Sequence, residues 1–168
     1  MKKYLLVLTC MMTFFLLDVN ARDKDEEMYR YDVEGVAGSP TDNNKVLIKV
    51  WSYGKLQKIT REVCMRNAIH GVLFKGVPAT SSTGVFSGCE AIVPDGYDAN
   101  KEYFDRFFES GEYLKYVVMV NHGNIQAGDR IKLSNNEYKI GMECAVNYKA
   151  LATKLSDDGI AKNLDFLF

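Results

Sequence analysis

Charged residues make up 26% of the 168, balanced to a formal net charge of −1, and aromatic residues a further 12%. That balance excludes a disordered chain and leaves no surplus of lysine and arginine for a nucleic acid. The length and apolar content suit one domain with a substantial core.

The first 21 residues read differently from the rest. Lys2 and Lys3 precede an almost unbroken apolar run of 14 residues, Tyr4 to Leu17, and Val19-Asn20-Ala21 offers small residues where a signal peptidase reads. A membrane-spanning helix needs about 20 apolar residues, so residues 1–21 are expected to be a cleaved secretory signal rather than an anchor. Val7-Leu8-Thr9-Cys10 loosely matches a lipobox, but the apolar run continues past Cys10, which favours a signal without lipidation. Cleavage takes two lysines and one aspartate from the formal charge of −1 and leaves −2. Neither nucleic acid nor an anionic membrane surface is an expected partner at that charge. Cys64, Cys89 and Cys144 remain, an odd number that permits one disulfide at most. Cys64 and Cys144 fall on predicted core faces, where thiols behave as small hydrophobes, and that reading is preferred here.

Residues 22–28, RDKDEEM, are expected to form a charged, flexible lead-in. From Tyr29 to Val36 the side chains alternate apolar and charged, the mark of a half-buried strand. Turn formers follow from Gly38 to Asn44, and then a second strand from Lys45 to Tyr53. Val46, Ile48 and Val50 face one way and Leu47, Trp51 and Tyr53 the other, so this strand belongs inside a sheet or under cover on both sides. The spacing then predicts one helix from about Leu56 to Lys75. Leu56, Ile59, Val63, Asn67, His70 and Phe74 share a face with Cys64 at its edge, and charged residues cover the opposite side of the first half. Past Asn67 the helix is apolar nearly all round through Ile69, Val72 and Leu73, so its second half should be the more deeply buried. Gly76 and Pro78 end it.

Residues 79–96 read as a long loop rich in Ser, Thr and Gly. Tyr97 to Gly111 returns to helical spacing, with a stripe of Tyr103, Phe104, Phe107 and Phe108 expected to be core packing. Tyr116 to Val120 reads as a strand apolar on both faces, and His122-Gly123-Asn124 as a turn. A hairpin follows around Asn135-Asn136, with a two-residue loop that sets Leu133 against Tyr138 and Ile131 against Ile140. The second strand of that hairpin alternates without a break from Tyr138 to Tyr148. A short helix from Lys149 to Ser156 comes next, and then an apolar end, Leu164 to Phe168, expected to dock on its own domain or on a partner.

The order strand, strand, helix, helix, three strands, helix implies an α+β fold. It is a two-layer sandwich of about five mainly antiparallel strands with helices packed on the sheet, in a single domain over residues 29–168. Chemistry is harder to find. His70 and His122 are the two histidines, and no HExxH, CxxC, GxSxG, P-loop or GxGxxG spacing occurs. No catalytic residue, metal ligand set or cofactor is therefore assigned. Asp95, Asp98, Glu102 and Asp105 read as the solvated start of a helix. Cys89 lies in a flexible Ser-Gly-Cys-Glu setting without a histidine nearby in sequence. Asn67 and His70, one turn apart on an otherwise apolar face, are the candidate binding residues. A buried amide and imidazole need hydrogen-bond partners, and structural partners come first, a ligand or partner contact second.

Three stretches, VEGVAG (33–38), VLIKVWSYG (46–54) and RNAIHGVLFKG (66–76), resemble the small α/β modules of exported bacterial envelope proteins. These are flagellar-assembly lipoproteins, curli-secretion-type channel subunits and penicillin-binding-protein activator lipoproteins. The resemblance implies a non-enzymatic envelope protein, periplasmic or associated with the outer surface. It would act as an interaction or assembly module on another envelope protein or on itself. The alternatives are a small-ligand binder with a pocket near residues 79–96 lined by the aromatic stripe and His70, and a hydrolase built around Cys89 or His122.

Overall fold

The computed structural model describes residues 29–36, 44–79 and 86–161. The expected signal peptide, the lead-in at 22–28 and the apolar end from Leu164 to Phe168 lie outside the described residues. Contacts divide the chain at Arg30, and every element described lies in the unit Tyr31–Phe168. The strands are β1 (Tyr31–Gly35), β2 (Val46–Gly54), β3 (Val117–Met119), β4 (Arg130–Lys132) and β5 (Tyr138–Val146). The helices are α1 (Arg61–Phe74), α2 (Lys101–Glu109) and α3 (Tyr148–Asp157). This is the expected α+β order.

All strand pairings are antiparallel, in the order β1-β2-β5-β3. β5 is central: β2 pairs with its whole length, while β4 and β3 divide its other edge, β4 at Tyr138–Ile140 and β3 at Cys144–Val146. β2 thus takes the interior place that its two apolar faces call for. Ile48, Val50, Ile140, Met142, Cys144 and Val146 form the buried face of the sheet, and α1 lies across it. The 3-10 turn Glu112–Tyr116 touches α1, α2 and α3, so the aromatic residues of α2 join the core on that side. Phe104, Phe107 and Phe108 are all buried there, and the stripe is core packing.

The other face of the sheet carries Trp51 among charged side chains. Trp51 stands opposite Gly141, and a Cβ added at that glycine would come within 2.9 Å of the indole. Lys49 and Lys139 lie 5.6 and 4.8 Å from its ring centre. Lys49 is in turn held by Asp129 at 2.9 Å and Glu143 at 3.6 Å. Burial pulls the Lys49 ammonium down, but its bonds to these carboxylates outweigh that and its pKa moves up. The lysines here are ordered by carboxylates and an aromatic ring, so they are no free basic patch.

Three expectations need correction. The first helix does not begin at Leu56: Leu56–Lys58 is a separate 3-10 turn. Thr60 is extended and its hydroxyl accepts the Val63 N–H at 3.2 Å, so α1 starts after this cap. The edge strand is three residues, not five, because 3-10 turns flank it, and Val118 faces outward at 60% exposure rather than into a second apolar layer. The hairpin register is one residue from the expected one: Ile131 faces Lys139 and Lys132 faces Tyr138. A two-residue loop of type I′ needs positive φ at both positions, and among the described non-glycine residues only Asn121 and His122 have it. The turn instead closes with the Leu133 N–H on the Glu137 carbonyl at 2.9 Å, a wider loop through Ser134, Asn135 and Asn136. A slip of one residue moves every β4 side chain to the opposite face, and Ile131 and Leu133 end exposed at 42% and 47%.

The long loop is irregular, as expected, where it is described. Its described part, 86–96, is docked along the end of α1. Ile92 and Val93 donate their N–H groups to the Val72 and Leu73 carbonyls at 3.3 and 2.8 Å, which satisfies acceptors that a helix end leaves open. Val77 and Cys89 form an antiparallel bridge with bonds of 2.8 and 2.9 Å. Gly76 makes this approach possible. Its φ is +69°, and a Cβ there would sit 2.7 Å from the Cys89 carbonyl oxygen. Beside the docked strip and the sheet, Ile69, Val72 and Leu73 are fully buried.

Candidate functional site

Asn67 and His70 share α1 but reach different neighbours. Asn67 is 1% exposed and points at the sheet, where its amide nitrogen donates to the Ser52 hydroxyl at 3.3 Å. Its carbonyl oxygen is buried with no hydrogen-bond partner. An orphaned buried acceptor costs about 1–3 kcal/mol, so Asn67 carries a local cost that a wholly apolar residue would not. The indole nitrogen of Trp51 is in the same condition on the opposite face of the sheet.

His70 looks toward β1. Its Nδ1 lies 2.6 Å from the Tyr31 hydroxyl, and its ring packs edge-on against Phe74 at 4.8 Å and Tyr31 at 5.7 Å. Tyr97 stacks on it at 6.1 Å and Phe108 lies 6.3 Å away. Burial in this aromatic setting, with the charges of Lys75 and Arg66 adding to it, pushes the imidazole pKa down to about 3. At neutral pH it is uncharged and serves as one ring of an aromatic cluster. The cluster binds β1, α1 and the start of α2 together. The structural reading of the pair therefore has named partners: Ser52 for Asn67 and Tyr31 for His70.

Tyr97 and Tyr31 were not singled out by the sequence, although each sits in a pattern that hints at its role. Tyr31 is on the apolar register of β1, and Tyr97 follows a Pro-Asp-Gly turn just before α2. Tyr97 also donates to Asp105 at 2.8 Å, and Lys101 reaches the same carboxylate at 2.8 Å. These bonds hold the Asp105 carboxyl below its usual range, the Lys101 bond first. Asp105 is thus the anchor of the helix start rather than half of an acid pair.

Two shallow clefts lie beside the docked strip. One, about 410 Å³, is lined by Val77, Ala79, Ser87, Gly88, Cys89, Glu90 and Tyr148. The other, about 490 Å³, is bounded by Tyr31, Asp32, Val33 and the 75–78 turn, with Cys89 between the two. His70 and the phenylalanines of α2 line neither of these two clefts, and Phe104, Phe107 and Phe108 are buried in the core. Burial pushes the Cys89 thiol up to about 11, only partly offset by its bond with Val77. A thiol so protonated is a poor nucleophile at neutral pH. His122 is exposed in a left-handed turn at φ +56°, far in sequence from Cys89. Among the described residues no group of three His, Cys, Asp or Glu side chains is placed to hold a metal ion.

One surface feature was not anticipated. Leu114, Val118, Ile125, Ile131 and Leu133 are the large apolar side chains left exposed among the described residues. All five fall between positions 114 and 133. That stretch holds β3 and β4, the two short strands on the free side of β5. Among the described residues no helix is long and apolar enough to cross a membrane. Comparison with family models, with curated proteins and with solved structures finds no match to this chain.

Proposed function

We propose that the chain is an exported, non-enzymatic envelope protein that works as a protein-interaction or assembly module through its β3–β4 edge. The observation that carries this reading is the confinement of the exposed large apolar side chains to residues 114–133. Short strands with outward apolar groups offer a surface that a partner can cover. The leader-like first 21 residues and the resemblance of the 33–76 stretches to envelope modules support export and an assembly role. The chemistry fits the same picture, since His70 is neutral within the aromatic cluster and Cys89 is protonated beside open clefts.

A double variant, Val118→Asp with Ile131→Asp, tests the reading. Both positions are exposed, so folding should survive within about 0.5 kcal/mol, while proteins that co-purify with the wild-type chain from the producing cell should be lost. Thr153→Asp, on the exposed side of α3, should keep them. Equal recovery with all three chains, or no partner with the wild type, contradicts the proposal. A ligand-binding reading draws on the two clefts that meet at Val77 and Cys89. It would be favoured if small molecules raised the melting temperature and Cys89→Phe abolished the shift.

A further inference from the structure

We propose that Cys64 and Cys144 are a disulfide-forming pair that fastens α1 to the central strand β5. Their Sγ atoms lie 3.6 Å apart, on a helix and a strand whose sequence positions differ by 80. Both side chains are fully buried. The other contacts of the two thiols among the described residues are weak: Cys64 Sγ lies 3.9 Å from the Met142 carbonyl oxygen, and Cys144 Sγ lies 3.5 Å from the Met119 thioether. A disulfide closes at about 2.05 Å, so the two sulfurs need to approach by about 1.5 Å. Closure calls for rotation of the side chains with a small shift of α1. Cys89 lies past the end of α1, where its backbone bridges Val77.

Closure removes two protons and two electrons from the thiols. A low-molecular-weight or protein disulfide of the glutathione class accepts them, its own S–S bond opening to two thiols as the Cys64–Cys144 bond forms. Attack requires a thiolate. In the closed core, the bond to Cys144 and burial both push the Cys64 thiol up. The bond therefore forms while the chain folds and is shielded afterwards. In the cell this rests on the export reading, because exported chains meet such oxidants. In vitro refolding reads the pair independently of export.

The test uses the full chain with Cys10→Ser and Cys89→Ser, which leaves this pair alone. After refolding from denaturant with reduced and oxidised glutathione, no thiol should react with an alkylating agent, and digestion should yield one peptide linking Cys64 to Cys144. Refolding with a reductant should leave two reactive thiols on unfolding. Adding Cys144→Ala should abolish the linked peptide. Two alkylated thiols in a natively folded product, glutathione adducts at both cysteines, or an oxidised form without native circular dichroism would each overturn the proposal. A chain bridged on refolding but reduced in the producing cell would support the pair and contradict export.

Discussion

His70 shows how a single polar side chain is absorbed by its neighbours. A histidine titrates near 6.5 in an unfolded chain, whereas this one is held down to about 3 by burial and then by Lys75 and Arg66. Between those values the unfolded chain binds a proton that the folded chain refuses. Stability should therefore fall as pH drops from about 6.5 toward 3, and this group should add no slope above that window. At pH 5 the loss relative to pH 7.5 should be about 1–2 kcal/mol. Urea melts of the wild type and of His70→Phe at the two pH values check this: the variant should lose less on acidification. Equal losses would mean that the imidazole is not held neutral. The alternation of apolar and polar residues on α1 made Asn67 and His70 visible as polar groups on an apolar face. Their partners were not visible, because Ser52 and Tyr31 come from β2 and β1, 15 and 39 positions away, and only the packing of α1 on the sheet selects them.

At the scale of elements, the strands and helices whose pattern is decided by burial were legible, and those decided by backbone conformation were not. β2, β5 and the second half of α1 have one correct way to bury their apolar residues. β4 has three residues, all exposed, so no burial enforces its register. An Asn-Asn pair permits positive φ without requiring it. The docking of residues 89–93 on the end of α1 was hidden for a related reason, since it depends on backbone bonds and on the space at Gly76. The Trp51–Gly141 pair offers a sharp element-scale test. Gly→Ala inside a strand normally stabilises by about 0.5–1 kcal/mol. Here the added methyl meets the indole, so Gly141→Ala should destabilise by about 1–3 kcal/mol. Combination with Trp51→Leu should recover part of that loss in chemical denaturation. A stabilised Gly141→Ala would show that the ring does not rest on the glycine.

Taken whole, the described residues form a five-stranded antiparallel sheet with helices on its buried face, and their large exposed apolar side chains all fall between positions 114 and 133, the stretch that holds β3 and β4. The fold class was readable from element order. The edge was not, because it follows from the shortness of β3 and the register of β4. The exposed edge carries the proposal of an interaction module, and photo-cross-linking tests it most directly. A photoreactive phenylalanine analogue placed at Val118, at Ile131 and, as a control, at Thr153 would be irradiated in the producing cell. The adducts would then be resolved by mass spectrometry. A discrete adduct at Val118 and Ile131, absent at Thr153, is the predicted result. No adduct at either edge position, or the same adducts at all three, would contradict it.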